Sequence, residues 1–199
     1  MAGSKPAHLL MVGGKSPRQR VWEALRQHRD GLSVYQLARK SGVDDASVLG
    51  CLRCLIAGGY VARKGRSYAT AVYPLLRDIG VEAPRLNRDG SPSTHGHGVE
   101  AMWRSLRIIG EVDAHELATN AGASGVAISI NAAVSYLGWL RRAGYLVCVA
   151  EGSPGKYARY RLAPGKNTGP RPPMIQRIGQ VFDPNLGEVV FRQEPEVDL

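Results

Sequence analysis

The sequence lacks any apolar run that could cross a membrane. Its longest apolar stretches, such as residues 146–150, fall far short of the roughly 20 residues that a bilayer span needs. The short apolar patch at residues 8–12 lacks the length and the cleavage site of a signal peptide. Three cysteines are too few, and odd in number, for a disulfide scaffold, which indicates a reducing compartment. These absences exclude membrane, secreted and collagen-like proteins, and we expect a cytoplasmic protein.

The sequence also lacks a catalytic constellation. Its five histidines are scattered, and none pairs with a cysteine, a serine or an acid at a recognisable catalytic spacing. Residues 13–16 (Gly-Gly-Lys-Ser) are similar to the end of a phosphate-binding loop, but that loop needs a glycine at position 9, where the chain has Leu9. We therefore expect no enzyme and no cofactor.

Cys51 and Cys54 have the spacing of a redox or zinc motif. Both fall on a predicted helix, so one of them faces the core or its edge. Zinc needs four ligands, and the nearest further candidates are His95 and His97, with Cys148 far away in the chain. The sequence favours two small helix residues here, and we expect no bound metal.

Positive charge is in excess and is unevenly spread. The chain has 26 Lys and Arg against 17 Asp and Glu, a net charge of +9. Residues 1–97 carry 15 basic and 7 acidic residues, a net charge of +8, whereas residues 98–199 carry 11 and 10, a net charge of +1. This balance indicates a polyanionic partner, most often nucleic acid, and different roles for the two halves.

One long-period self-similarity divides the chain into two copies. Residues 21–26 (Val-Trp-Glu-Ala-Leu-Arg) recur as residues 102–107 (Met-Trp-Arg-Ser-Leu-Arg). The later matches are Leu37-Ala38 with Leu117-Ala118, Gly42 with Gly122, and Leu52, Leu55, Gly59 and Tyr60 with Leu137, Leu140, Gly144 and Tyr145. Two copies of this length indicate a duplicated domain rather than a solenoid of short repeats.

Local signals predict three helices and a β-hairpin in each copy. Capping boxes mark helix starts by pairing Ser16 with Gln19, Ser33 with Gln36, and Asp113 with Glu116. The third helix of the first copy is predicted over residues 44–58, with an apolar stripe that recurs at the same spacing in the second copy. Strand-like runs around a glycine turn come next, at residues 60–69 and 145–162.

This order of elements resembles the winged helix-turn-helix family. The endings Leu55-Ile56-Ala57-Gly58-Gly59-Tyr60 and Leu140-Arg141-Arg142-Ala143-Gly144-Tyr145 are similar to that family's junction between the third helix and the wing. The fold implied is α+β and mainly helical, with two tandem winged-helix domains, each of three helices plus a β-hairpin, and a C-terminal extended tail. The predicted boundaries are an N-terminal arm at 1–15, domain 1 at 16–76, a linker at 77–97, domain 2 at 98–163, and a Pro/Gly-rich tail at 164–199 with a hairpin at 181–191.

The resemblance implies that the third helix enters the major groove and that the wing contacts phosphate or the minor groove. Gly50 departs from the family, which commonly carries a large polar or basic residue there. The DNA-binding residues implied are Ser47, Arg53, Arg63, Lys64, Arg66, Arg39 and Lys40 in the first copy, and Asn131, Lys156, Arg159 and Arg161 in the second. A solvated basic surface is the alternative for each of them singly, and the group as a whole favours nucleic acid.

The third helix of the second copy has an unusual outward face, since a helix that reads bases rarely offers Val, Gly and Trp. Either Trp139 packs on the core or the linker, or this face is a protein interface. Likewise, the tail hairpin either docks on a domain or binds a partner. The residues of the predicted protein interface are Val134, Ser135, Gly138, Trp139, Phe182 and Phe191.

Two functions are consistent with these patterns. The first is a transcriptional regulator of bacterial or phage type that binds double-stranded DNA through tandem winged helices. The alternative is an adaptor, chromosome-organisation or replication-associated protein, in which the second domain and the tail contact a protein partner or a second copy of the chain.

Overall fold

A computed structural model describes residues 7–65, 67, 70–176 and 179–193. These residues divide into two units with separate hydrophobic cores. The N-terminal unit comprises residues 10–94, and the C-terminal unit comprises residues 95–193 with residues 7–9.

Four helices lie in the first part of the chain: α1 (Ala7–Leu10), α2 (Pro17–Gln27), α3 (Val34–Ser41) and α4 (Asp45–Ala57). The C-terminal unit contains α5 (His97–Ile108), β1 (Glu111–Val112), α6 (Ala114–Gly122), α7 (Ile130–Arg142), β2 (Leu146–Ala150) and β3 (Arg159–Leu162). Its tail adds β4 (Met174–Gln176), β5 (Gln180–Asp183) and β6 (Glu188–Arg192). The strands form two antiparallel sheets, in the orders β1-β3-β2 and β4-β5-β6.

The predicted helix starts are confirmed, with one difference. Both capping boxes at α3 and α6 are complete, because each cap side chain accepts from a backbone N–H and the third residue's side chain reaches back. At α2, Ser16 accepts from the backbone N–H of Gln19, but the box stays open. The amide of Gln19 instead donates to the carbonyl of Val81 at 2.8 Å and accepts from the N–H of Ala83 at 2.9 Å. The side chain of Gln19 therefore binds residues 81–83 and does not close the capping box of α2.

The wing of the N-terminal unit is a hairpin whose strands are joined by isolated bridges. Val61 pairs with Leu75 and Lys64 with Val72. The returning strand thus lies at residues 72–75, later in the chain than the predicted 60–69. Burial explains this register, because a returning strand here places the side chains of Ala71 and Tyr73 in the core. Residues 66, 68 and 69 lie outside the described part of the loop.

A tryptophan anchors the core of the N-terminal unit. Trp22 is fully buried and packs edge-to-face on Tyr60, with ring centroids 6.2 Å apart. Its indole N–H donates to the carbonyl of Gly80 at 2.9 Å. The first helix of the unit is thereby joined both to the start of the wing and to the chain that leaves the wing.

The C-terminal unit has the same set of contacts. Trp103 is fully buried, lies edge-to-face on Tyr145 at 6.0 Å, and donates its indole N–H to the carbonyl of Gly169 at 2.9 Å. Both tryptophans are core residues, as the sequence predicts.

Residues 77–94, which the sequence assigns to a linker, pack on the N-terminal unit. Pro84 is buried, and Leu86 packs against the core. Gly90 lies so close to the end of α4 that a Cβ atom there would be 2.3 Å from the backbone nitrogen of Gly58. The glycine and proline content that suggests a linker here serves close packing of backbone on backbone.

The tail hairpin is confirmed and docks on the C-terminal unit. Val181 is buried in the core of that unit, and Phe191 packs edge-to-face on Trp139 with centroids 6.1 Å apart. Asp183 is fully buried and accepts hydrogen bonds from the hydroxyls of Tyr145 and Thr168. Burial alone would raise the pKa of Asp183, but these bonds and two backbone N–H donors hold it below the ordinary value.

We expect Gly90→Ala to destabilise the N-terminal unit by about 1–3 kcal/mol more than Gly80→Ala does, because the added methyl group overlaps the backbone of α4. Both glycines have a positive φ, but the Cβ at Gly80 meets nothing within 4 Å, which makes it the matched control. Denaturant unfolding measures the difference. Equal losses for the two variants would contradict the packing of this segment on α4.

We expect Asp183→Asn to lower the free energy of unfolding by about 1–3 kcal/mol at pH 7, because a buried hydrogen-bonded carboxylate is lost. The folded-state pKa of Asp183 is depressed, so its stabilisation is present above the unfolded value near 4 and is lost as pH falls through the folded value. The gap between variant and wild type should therefore narrow toward pH 3. Denaturant unfolding at both pH values checks this, with exposed Asp30→Asn as the control, and a gap independent of pH would contradict it.

Candidate nucleic-acid interface

Helix α4 presents one exposed stripe to its surroundings. Its buried face consists of Val48, Leu52 and Leu55. Ala46, Gly50 and Arg53, spaced four and three residues apart, are exposed and lie together on the opposite side. Ser47 and Cys54 are half-buried and mark one edge of the stripe.

Apart from Arg53, which carries its single charge, the stripe consists of small residues. A Cβ built on Gly50 meets nothing within 4 Å, so the space in front of the helix is open. Small residues let a helix backbone approach its ligand closely, and the guanidinium of Arg53 is suited to phosphate or to the O6 and N7 atoms of guanine. The stripe therefore combines open access to the helix backbone with one guanidinium at the surface.

The wing, which follows α4 in the chain, carries further exposed basic side chains. Arg63 and Lys64 are both exposed. The backbone of Lys64 exchanges two hydrogen bonds of 2.9 Å with Val72, which fixes the position from which its side chain extends. Arg66, the third predicted wing contact, lies outside the described residues.

Arg39 and Lys40 are exposed in the last turn of α3. The guanidinium of Arg39 lies over the ring of Tyr35, 5.2 Å from its centroid. This contact fixes the direction of the side chain while leaving its charge at the surface.

Three other arginines of the N-terminal unit serve its structure. Arg20 donates to the carbonyls of Ser41 and Gly42 at 2.8 and 2.9 Å, and so satisfies the end of α3. Arg26 and Arg29 both pair with the carboxylate of Asp78. A hydrogen bond from the N–H of Gly80, together with the one from Arg26, holds the pKa of Asp78 below its ordinary value.

Helix α7 occupies the place in the C-terminal unit that α4 has in the N-terminal unit, but its surface differs. Asn131, Val134 and Ser135 are exposed, whereas Gly138 and Trp139 are half-buried. Trp139 is covered on one side by Phe191, and the guanidinium of Arg142 lies 5.4 Å from its ring centroid. The chain's own tail therefore contacts the aromatic anchor that the sequence offers to a partner.

The tail residues predicted as interface are equally engaged. Phe182 is 1% exposed, and Phe191 is half-buried against Trp139. Of the two roles left open by the sequence, docking on a domain is the one that the structure shows. Phe182 therefore has almost no accessible surface with which to contact a partner.

The hairpin of β2 and β3, which the sequence predicts to be a second wing, offers fewer cations than its sequence suggests. Lys156 and Arg161 are exposed. Arg159 instead pairs with Glu116 at 3.0 Å and with Asp113 at 3.7 Å. The hydrogen bond to Glu116 raises the pKa of Arg159, and the same bond lowers the pKa of Glu116. Since both acids belong to the capping box of α6, Arg159 ties β3 to that helix.

A cavity of about 510 Å³ lies beside α4 within the N-terminal unit. It is lined by the start of α2, one side of α4 and the segment after the wing. The residues are Ser16, Pro17, Arg18, Ser47, Gly50, Cys51, Cys54, Leu55, Pro84 and Leu86. In the described part of the chain, no three His, Cys, Asp or Glu side chains are grouped so as to hold a metal ion.

Comparison with known proteins identifies the N-terminal unit. Residues 20–65, which run from α2 through α3 and α4 into the wing, match the IclR helix-turn-helix domain. These residues form an IclR-type helix-turn-helix DNA-binding domain. The match suggests a DNA-binding transcription regulator and supports double-stranded DNA as its partner.

No curated protein matches the chain. Among the helices that the structure describes, none combines the length and the apolar character needed to span a bilayer.

Proposed function

We propose that the protein is a transcription regulator of bacterial or phage type whose IclR-type domain contacts duplex DNA through α4 and the wing. The match of residues 20–65 to a DNA-binding domain carries this proposal. The exposed stripe with Arg53 and the exposed pair Arg63 and Lys64 support it, because they supply the base-edge and phosphate contacts that such a domain needs. Residues 1–97 also hold almost all of the excess positive charge.

The C-terminal unit is, in this proposal, a second winged helix that arose by duplication. Three helices and then paired strands occur in the same order, and the Trp103 contacts repeat those of Trp22. Its DNA contacts are the weaker ones, through Asn131, Lys156 and Arg161, because Arg159 is engaged by Glu116.

The alternative, an adaptor that captures a partner through the second unit, has less support. It depends on aromatic anchors, and Trp139, Phe182 and Phe191 all pack within the chain. Val134 and Ser135 remain exposed, and self-association through them stays a prediction of the sequence.

We expect the double variant Arg63→Ala and Lys64→Ala to weaken binding to all duplex sequences about equally. Each lost phosphate contact should reduce the slope of log K against log salt by about 0.9, so the double variant should flatten it by up to about 1.8. Fluorescence anisotropy with a random-sequence duplex of about 30 base pairs, over a range of salt concentrations, measures both quantities.

The matched control removes two exposed cations outside the N-terminal unit, in the variant Arg104→Ala with Arg192→Ala. It changes net charge by the same amount and should leave the slope close to that of the wild type. Equal slopes for the wild type and the wing variant would contradict the wing contact. Absence of binding by the wild type at low salt would contradict DNA binding altogether.

A further inference from the structure

The cavity beside α4 brings two thiols to one wall. Cys51 and Cys54 are both half-buried, and both line the cavity. The sequence predicts that one of them faces the core or its edge, and Cys51 does pack against the hydrophobic core of the N-terminal unit. Both thiols also line a space large enough for a ligand, on the helix that is proposed to contact DNA.

Helix geometry favours chelation by this pair over a disulfide. Residues three apart on a helix have Cβ atoms about 5–6 Å apart. A disulfide needs about 3.5–4.5 Å between them, so it would distort α4. A cation that bridges the two sulfurs spans a longer gap, since each metal–sulfur bond is about 2.3 Å long.

The composition of the cavity wall selects the cation. Among the described residues that line it, Cys51 and Cys54 are the only Cys, His, Asp or Glu. Structural zinc needs four such ligands, and calcium or magnesium needs several oxygens. Soft thiolates select copper(I), which is satisfied by two sulfur ligands. We propose that Cys51 and Cys54 form a binding site for a soft thiophilic cation, copper(I), on the DNA-contacting helix.

Binding exchanges protons for the metal. Copper(I) binding breaks two S–H bonds, forms two Cu–S bonds and releases two protons, with no change in oxidation state. The charge of the site changes from zero to −1.

Copper(I) in this site should weaken the proposed DNA contact. This consequence rests on the proposed function. Ser47 and Gly50 line the same cavity and belong to the outward side of α4. A new negative charge there repels the phosphates of the duplex. Copper(I) should therefore release the protein from DNA.

The site itself is tested without DNA. The full chain is titrated anaerobically with copper(I) in competition with a chromophoric copper(I) chelator. The wild type should retain one copper per chain, and so should Cys148→Ser, which removes the third thiol from β2. Cys51→Ser and Cys54→Ser should each lower the affinity at least about 100-fold, because one of two ligands is lost.

Circular dichroism establishes that each variant is folded. Cys54→Ala removes the same thiol as Cys54→Ser with a different side chain, and it provides a second test of that ligand. Failure of the wild type to retain copper, or equal retention by Cys54→Ser, would overturn the site.

The coupling to DNA is measured separately by anisotropy with and without one equivalent of copper(I). The affinity of the wild type for duplex should fall by a factor on the order of 3–10, and that of Cys54→Ser should not change. Copper binding with unchanged DNA affinity would overturn the coupling and leave the site. Absence of DNA binding would overturn the proposed function, while the chelator competition still decides the site.

Discussion

Each unit depends on the contacts of one buried tryptophan, which joins three parts of the chain. Trp22 packs on Tyr60 at the start of the wing and donates its indole N–H to the carbonyl of Gly80 beyond it. Because Trp22 lies on α2, the wing cannot move freely relative to the helices. Trp103 makes the equivalent contacts with Tyr145 and Gly169. This constraint sets the position of the hairpin of each unit relative to its helices.

The two units use this common core to support different surfaces. In the N-terminal unit the chain after the wing folds back over α2 and the end of α4, and leaves the stripe with Gly50 and Arg53 exposed. In the C-terminal unit the tail continues into a sheet, which places Phe191 on Trp139 of α7. The difference in surface therefore arises from the segment after each hairpin as well as from the outward residues of the helices.

Much of the local structure could be predicted from the sequence, because caps and apolar spacing act over a few residues. The starts of α3, α4 and α6 and the tail hairpin are examples. Contacts between residues that are far apart in the chain leave weaker signals in the sequence. Nothing near Gln19 indicates that its amide holds residues 81–83, and nothing near Arg159 indicates that it pairs with Glu116.

The candidate site likewise has some features that local sequence patterns predict and others that depend on long-range packing. Exposure of Arg53, Arg63 and Lys64 is expected from helix periodicity and hairpin pattern, and the structure agrees. That Cys51 and Cys54 share a cavity depends on the packing of residues 84–86 against α2 and α4, which no local pattern encodes.

The claim that α4 lies in the groove of duplex DNA is tested most directly by photocrosslinking. A photoreactive amino acid placed at Gly50 projects into open space, and one at Gly138 of α7, which matches Arg53 of α4 in the repeat, also meets nothing within 4 Å. On irradiation with duplex DNA, position 50 should crosslink strongly and position 138 weakly. A crosslink from position 138 with none from position 50 would contradict the assignment of DNA binding to α4.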